Sequence, residues 1–98
     1  MTTSTPKSDR PEQKVILITG CSSGIGLDAA LTMKARGWLV IATCRKEKDC
    51  KNLRKMGLIS FVLDYEDRDS IDKAFVSALN YAGGRIDVVF NNGAYAIP

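Results

Sequence analysis

Apolar positions along the chain form four short runs separated by three longer stretches with helical spacing. The runs cover residues 15–19, 38–43, 58–63 and 86–90, and they are continuous, as is typical of strands buried on both faces. In the intervening stretches apolar residues recur three and four positions apart, which predicts helices over residues 24–36, 47–56 and about 67–83. Asp67 or Asp69 can cap the third helix, and Gly37, Gly57 and Gly83 are suited to end the three helices.

Strands that alternate with helices need crossover connections, which are right-handed almost without exception. The pattern therefore predicts an α/β fold of the Rossmann type, a three-layer α/β/α arrangement around a parallel sheet of about four strands. We expect the strand order 3-2-1-4, which places the first and fourth strands side by side. Ligands bind beyond the carboxyl ends of the strands at such a switch point.

Composition narrows the class of protein. The 98 residues are 45% hydrophobic and 26% charged, which is ordinary for a soluble globular protein and allows one small domain. The net charge of +3 comes from 14 basic and 11 acidic residues that are spread along the chain, so neither a nucleic acid nor a membrane is predicted as a partner. No apolar run is long enough for a membrane span, and cytoplasmic localisation is the expectation.

Two regions of the chain carry no predicted chemistry. Residues 1–14 are polar and lack apolar periodicity, which indicates a mobile N-terminal tail before a folded segment over residues 15–98. Three cysteines without metal-binding spacing, and no histidine, make disulfides and zinc unexpected. Cys21 and Cys44 are expected to act as small hydrophobic residues rather than as reactive thiols.

A glycine-rich segment follows the first predicted strand and opens the first helix: Thr-Gly-Cys-Ser-Ser-Gly-Ile-Gly at residues 19–26. Gly20 permits a tight turn, Gly24 lets the backbone approach a pyrophosphate, and Gly26 lets the helix lie close to the strand. The helix N-terminus then offers unpaired N–H groups to phosphate. A turn that merely needs positive φ is the alternative. The spacing is not that of a P-loop, because no Gly-Lys-Ser/Thr follows, so hydrolysis of a nucleoside triphosphate is disfavoured.

The spacing Thr-Gly-x-x-x-Gly-Ile-Gly resembles the glycine motif of the classical short-chain dehydrogenase/reductase family. Asp64 after the third strand and Asn91-Asn92 after the fourth match further landmarks of that family. The family normally continues Asn-Asn-Ala-Gly, whereas this chain has Gly93-Ala94. The exchange affects the expected local backbone and leaves the expected fold unchanged.

The resemblance implies roles for residues of the cofactor site. Asp64 would meet the adenine ring, although a turn or helix-capping role is an equally good reading of the aspartate taken alone. Tyr65 would contribute its backbone or pack nearby, and Asn91 would tie strands together near the adenosine ribose. The cofactor-binding residues predicted in this way are Gly20, Ser22, Ser23, Gly24, Ile25, Gly26, Arg45, Asp64, Tyr65, Asn91 and Gly93.

The choice of cofactor depends on the end of the second strand. An acidic residue there would accept hydrogen bonds from the ribose 2′-hydroxyl of NAD, but the chain has Thr43-Cys44-Arg45-Lys46. This resembles family members that bind NADP, with Arg45 pairing with the 2′-phosphate in a bidentate fashion. NADP is therefore predicted and NAD is the less favoured cofactor. The alternative for Arg45 is a solvated residue that leads into a basic helix.

By the resemblance, the protein is an oxidoreductase that transfers a hydride between NADP(H) and an alcohol or ketone. The family's catalytic Ser and Tyr-x-x-x-Lys have no match here, because Tyr81 is followed four residues later by Arg85, so catalytic residues are expected only beyond Pro98. Family members commonly form homo-oligomers through later helices. The alternative function is a non-catalytic dinucleotide-binding module or sensor.

Overall fold

A computed structural model describes residues 13–92, and within them seven elements alternate as the sequence predicts. The strands are β1 (Val15–Ile18), β2 (Leu39–Cys44), β3 (Ile59–Val62) and β4 (Val88–Phe90). The helices are α1 (Gly24–Ala35), α2 (Glu47–Lys55) and α3 (Arg68–Ala82). Most elements begin or end one or two residues from the predicted bounds, where strand pairing or helical hydrogen bonding stops.

The four strands form one parallel sheet in the order β3-β2-β1-β4, which confirms the predicted order. β1 lies between its two partners, with Leu17 opposite Ile41 of β2 and opposite Val89 of β4. Successive side chains of a strand point to opposite faces of the sheet. The apolar residues of β1 and β2 can therefore support a core on each face.

Helices cover both faces of the sheet, so the predicted three-layer arrangement is confirmed. On one face Ile16 and Ile18 pack with Ala30 of α1 and Leu53 of α2. On the other face Val15 and Leu17 pack with the small residues Ala78 and Ala82 of α3. The small alanines let α3 lie close to the sheet.

The helix ends follow the sequence signals. The Asp67 carboxylate accepts hydrogen bonds from the backbone N–H groups of Asp69 and Ser70, so Asp67 is the predicted cap of α3 and Asp69 is not. The three predicted terminating glycines all have positive φ, between 79° and 92°: Gly37, Gly57 and Gly83. None of the helices formed by residues 13–92 is both long enough and apolar enough to cross a lipid bilayer.

The prediction that the fourth strand is buried is wrong. Val88, Val89 and Phe90 are 38 to 49% exposed. β4 pairs only with β1 among the described strands, and the described helices pack mainly over the other three strands. A continuous apolar run predicts a strand correctly, but its burial depends on neighbours that the run itself does not specify.

The segment assigned to an N-terminal tail reaches the described part of the chain only at its end. Gln13 donates a side-chain hydrogen bond to the carbonyl of Gly37, and the Lys14 carbonyl accepts one from the backbone of Leu39. These two residues lead directly into β1. Residues 1–12 and 93–98 lie outside the described range, and with them most of the predicted tail and the predicted site residue Gly93.

Candidate functional site

The candidate site lies at the carboxyl edge of the sheet, where β1 and β4 end side by side. Ile18 is opposite Phe90 in the register, and the next residue, Thr19, donates its backbone N–H to the Phe90 carbonyl at 3.0 Å. Loops that follow adjacent parallel strands converge at this edge. Most of the residues predicted from the sequence lie in these loops.

The glycine-rich loop makes a tight turn between β1 and α1. Gly20 and Gly24 have φ of 68° and 66°, a region that disfavours side chains. The Cys21 backbone N–H donates to the Thr43 carbonyl at 2.9 Å, which fixes the loop against the end of β2. A Cβ added to Gly26 would lie 2.3 Å from the Gly20 oxygen, so only glycine fits where the helix touches the loop.

The start of α1 is open to solvent. Ser23 occupies the N-cap position, its side chain makes no capping hydrogen bond, and the first turn contains no acidic residue. Ser22, Ser23 and Gly24 are exposed, Ile25 is 71% exposed, and a Cβ on Gly24 would meet no atom within 4 Å. A helix N-terminus carries partial positive charge and N–H donors, and this one has the space and the chemistry to bind a phosphate group.

Two asparagines connect the end of β4 with the glycine-rich loop. Asn91 Oδ1 accepts a hydrogen bond from Thr19 Oγ1 at 3.2 Å. Asn92 Nδ2 donates to the Gly20 carbonyl at 3.1 Å and would lie 2.6 Å from a Cβ on Gly26. Asn92 was not among the predicted site residues. The strand order 3-2-1-4 was a signal for it, because that order places residues 91 and 92 beside the loop that follows β1.

Arg45 follows β2 directly and points toward the turn between β3 and α3. Its Nε lies 3.6 Å from Asp64 Oδ1, and its Nη2 lies 3.4 Å from Glu66 Oε1. The Arg45 side chain is 64% exposed, so both ion pairs are solvated and individually weak. The guanidinium lies at the same edge of the sheet as the glycine-rich loop. Glu66, which no sequence pattern singled out, pairs with the same guanidinium group as Asp64.

The turn after β3 is held by its own hydrogen bonds. Asp64 Oδ1 accepts from the Glu66 backbone N–H at 3.0 Å, and the Asp64 N–H donates to Ser70 Oγ at 2.9 Å. Asp64 therefore has the turn role that was one of its two sequence readings. The adenine contact implied by the family resemblance stays a prediction.

Tyr65 extends from this turn toward β1 and β4. Its hydroxyl lies 2.8 Å from Thr19 Oγ1 and also contacts Asn91 Oδ1, and its single proton can be donated to one of these two acceptors at a time. The family resemblance implies that Tyr65 contributes its backbone or packs near the cofactor, and this stays a prediction. The structure brings the Tyr65 side chain to two residues that follow β1 and β4.

Two cysteines lie beneath the site. Cys21 and Cys44 are buried and free, and burial raises the pKa of each thiol to about 12. A thiol with so high a pKa is a poor nucleophile at neutral pH. The geometry thus favours the sequence interpretation of both residues as small hydrophobic side chains.

A family model described as short chain dehydrogenase matches residues 14–97, which include all of the described elements. The chain belongs to the short-chain dehydrogenase/reductase family. This is a family of oxidoreductases with a Rossmann-type nucleotide-binding fold. The glycine-rich loop and its neighbours lie at the edge of the sheet where that fold binds nucleotides.

Curated members of the short-chain dehydrogenase/reductase family resemble the chain over most of its length. The oxidoreductase YbbO of Escherichia coli is 38% identical over 85 residues, which cover 87% of this chain and 32% of the relative. An NADPH-dependent 1-acyldihydroxyacetone phosphate reductase of Schizosaccharomyces pombe is 37% identical over 81 residues, which cover 82% of this chain and 27% of that protein. The chain thus matches 27 to 32% of the length of these relatives.

Solved structures of short-chain dehydrogenase/reductase proteins agree with the fold. An actinorhodin polyketide ketoreductase variant with NADPH superimposes with a TM-score of 0.71 at 29% identity. The match covers 83% of this chain and 33% of the ketoreductase chain. A 3-ketoacyl-(acyl-carrier-protein) reductase from Brucella melitensis complexed with NADH has a TM-score of 0.70 at 25% identity, and the match covers 78% of this chain and 32% of the reductase chain. Because one neighbour holds NADPH and the other NADH, the fold does not decide between the two cofactors.

Proposed function

We propose that this chain binds NADP(H) at the carboxyl edge of its sheet, and that the protein transfers a hydride between NADP(H) and an alcohol or ketone. Membership in an oxidoreductase family supports this over a non-catalytic dinucleotide-binding module. The preference for NADP(H) over NAD(H) depends on one observation. A cation, Arg45, follows β2 directly, and the end of β2 has no carboxylate that could accept hydrogen bonds from the ribose 2′-hydroxyl of NAD.

The residues at this edge fit a dinucleotide. The pyrophosphate would lie at the uncapped start of α1, beside Ser22, Ser23 and Gly24. The open space above Gly24 would let the phosphate approach the backbone closely. Ile25 would lie on the same exposed turn, and Asn91 would border the ribose from the β4 side. Gly93 keeps its predicted role as a small residue next to the cofactor.

Arg45 would bind the 2′-phosphate by leaving its present partners. Exposed ion pairs such as those with Asp64 and Glu66 contribute about 0 to 1 kcal/mol each. A guanidinium can instead make two parallel hydrogen bonds to phosphate oxygens, which are charge-assisted and stronger. The exchange is therefore favourable when a 2′-phosphate is present, and it has no counterpart for the 2′-hydroxyl of NAD.

The bound cofactor would supply the hydride, and the residues of this chain would bind and orient it. The proton that accompanies hydride transfer needs a separate donor. The family resemblance implies a Ser and a Tyr-x-x-x-Lys for this step, and the 98 residues contain no match to the Tyr-x-x-x-Lys pattern.

A binding experiment tests the cofactor preference. Titration of the chain with NADPH and with NADH, followed by nicotinamide fluorescence, should give tighter binding of NADPH. Arg45→Ala should weaken NADPH binding by about tenfold or more, because a hydrogen bond to a charged group is worth about 1.5 to 3 kcal/mol. The same substitution should leave NADH binding nearly unchanged.

Arg36→Ala is the matched control for this experiment. Arg36 is an exposed residue at the C-terminal end of α1, so the variant loses the same charge far from the carboxyl edge of the sheet. It should bind NADPH like the unaltered chain. Equal affinity for NADH and NADPH, or an Arg45→Ala variant with unchanged NADPH affinity, would remove the basis of the proposed preference.

A further inference from the structure

The side chain of Tyr65 spans the carboxyl edge of the sheet. Tyr65 follows β3, whereas its hydroxyl partners Thr19 and Asn91 follow β1 and β4. In the strand order β3-β2-β1-β4, β3 and β1 are separated by β2, a distance of about 10 Å at the usual strand spacing. The phenol ring therefore crosses the region above the end of β2.

The same region is where the adenosine half of a dinucleotide would lie. If the pyrophosphate binds at the start of α1 and the 2′-phosphate binds Arg45, as proposed above, the adenosine would extend from the end of β1 across the end of β2 toward Asp64. A ring whose hydroxyl is bonded to Thr19 and Asn91 lies across this path. The ring in this position and a nucleotide bound as proposed would therefore occupy the same volume.

We propose that Tyr65 closes the adenosine part of the site in the absence of nucleotide, and that binding requires its hydroxyl to leave Thr19 and Asn91. This inference rests on the proposed function, because it concerns the same site. Tyr65 is thereby a residue that sets nucleotide affinity through the fraction of molecules in which the site is open.

The moving part is the side chain rather than the turn that carries it. The backbone of the turn is fixed by the Asp64 N–H, which donates to Ser70 Oγ, and by the Asp67 N–H, which donates to the Asp64 carbonyl at 2.9 Å. The Tyr65 residue is 39% exposed, so its ring has solvent on one side into which it can rotate. Rotamer changes of exposed side chains are fast compared with ligand binding.

Release of the Tyr65 hydroxyl is not costly to its partners. Thr19 Oγ1 and Asn91 Oδ1 are also hydrogen-bonded to each other, so that contact remains when the phenol leaves. The phenol itself exchanges a protein partner for water. The closed form is then favoured by about the net value of one hydrogen bond, which corresponds to a factor of about two to ten in population.

The test compares Tyr65→Phe with the unaltered chain by stopped-flow NADPH fluorescence. Phenylalanine keeps the ring and removes the hydroxyl contacts, so the open fraction rises. The association rate constant should increase about two- to tenfold while the dissociation rate constant stays the same, since the bound state is unaffected. Tyr81→Phe makes the same chemical change near the C-terminal end of α3 and should leave both rate constants unchanged.

A second measurement uses the unaltered chain, so the test does not depend on how well the variant folds. A nuclear Overhauser contact between the Tyr65 ring and the Asn91 side-chain amide should be present without nucleotide and disappear at saturating NADPH. Persistence of that contact, or a Tyr65→Phe variant that associates no faster, would overturn the role of Tyr65 alone. Failure of the unaltered chain to bind either NADPH or NADH would overturn the proposed function, and the role of Tyr65 with it.

Discussion

A methyl group added at Gly26 should destabilise both the fold and the candidate site. A Cβ at this position would lie 2.3 Å from the Gly20 carbonyl oxygen, whereas carbon and oxygen atoms in contact are normally about 3.4 Å apart. The overlap of about 1 Å involves a backbone atom, which cannot rotate away. The same oxygen accepts the hydrogen bond from Asn92, so moving it also disturbs the link to the end of β4.

The expected loss of stability in Gly26→Ala can be estimated from these contacts. Inserting a methyl group into a packed position costs about 1 to 3 kcal/mol, and a weakened hydrogen bond adds about 1 kcal/mol. Alanine returns about 1 kcal/mol through its higher helix propensity. The free energy of unfolding should therefore fall by about 2 kcal/mol, which lowers the melting temperature of a domain of this size by about 10 °C.

Urea denaturation followed by circular dichroism measures this change. Thr32→Ala is the control, because Thr32 lies on the exposed part of the same helix and its replacement raises helix propensity without a new contact. That variant should be as stable as the unaltered chain or slightly more stable. If Gly26→Ala were equally stable, the close contact between α1 and the glycine-rich loop would not have the energetic role assigned to it.

Three further predictions concern charge and burial. Glu66→Gln removes the carboxylate 3.4 Å from Arg45 Nη2 and should tighten NADPH binding by about two- to fivefold; unchanged affinity in a titration would show that Glu66 does not compete with the phosphate. The hydrogen bond from the Val15 N–H and the nearby Arg85 lower the pKa of Asp87 below its usual 3.8. The ionised Asp87 carboxylate therefore contributes its full stabilisation above pH 3.8, and this stabilisation is lost as the pH falls through the lower pKa of the folded state. Asp87→Asn should therefore show a shallower loss of stability in acid than the unaltered chain, and identical acid-unfolding curves would contradict this. Burial raises the pKa of Cys21 and Cys44 to about 12, so both thiols should react with Ellman's reagent only as fast as the protein opens; rapid labelling of the folded chain would be inconsistent with their burial.

The sequence predicted the architecture because the relevant signals are local. Runs such as that of β1 and the periodic alanines of α3 identify the elements, and the handedness of crossovers then leaves few ways to order the strands. The burial of β4 was not predictable in the same way. Whether Val88 and Phe90 are covered depends on elements distant in the sequence, and an apolar run does not reveal how many faces of its strand are covered.

The parts of the site were predictable to different degrees. The glycine-rich loop and Arg45 could be located from spacing along the chain, because both follow strands directly. The contacts of Tyr65 with Thr19 and Asn91 join residues 46 and 26 positions apart, and no periodic pattern encodes such a contact. Glu66 was missed for a related reason, since its partner Arg45 belongs to a different loop.

Side-chain hydrogen bonds flank the short pairing of β4 with β1 at both of its ends. Before β4, Asp87 accepts a hydrogen bond from the Val15 N–H at 2.7 Å; after it, Asn91 and Asn92 bind Thr19 and Gly20, and all three contacts join residues 72 positions apart. One side of the glycine-rich loop is thus completed by residues that lie 72 positions from it along the chain. A local opening that separates β4 from β1 would also remove Asn91 and Asn92 from that loop. A nucleotide bound as proposed would therefore oppose this opening, and more strongly at higher nucleotide concentration.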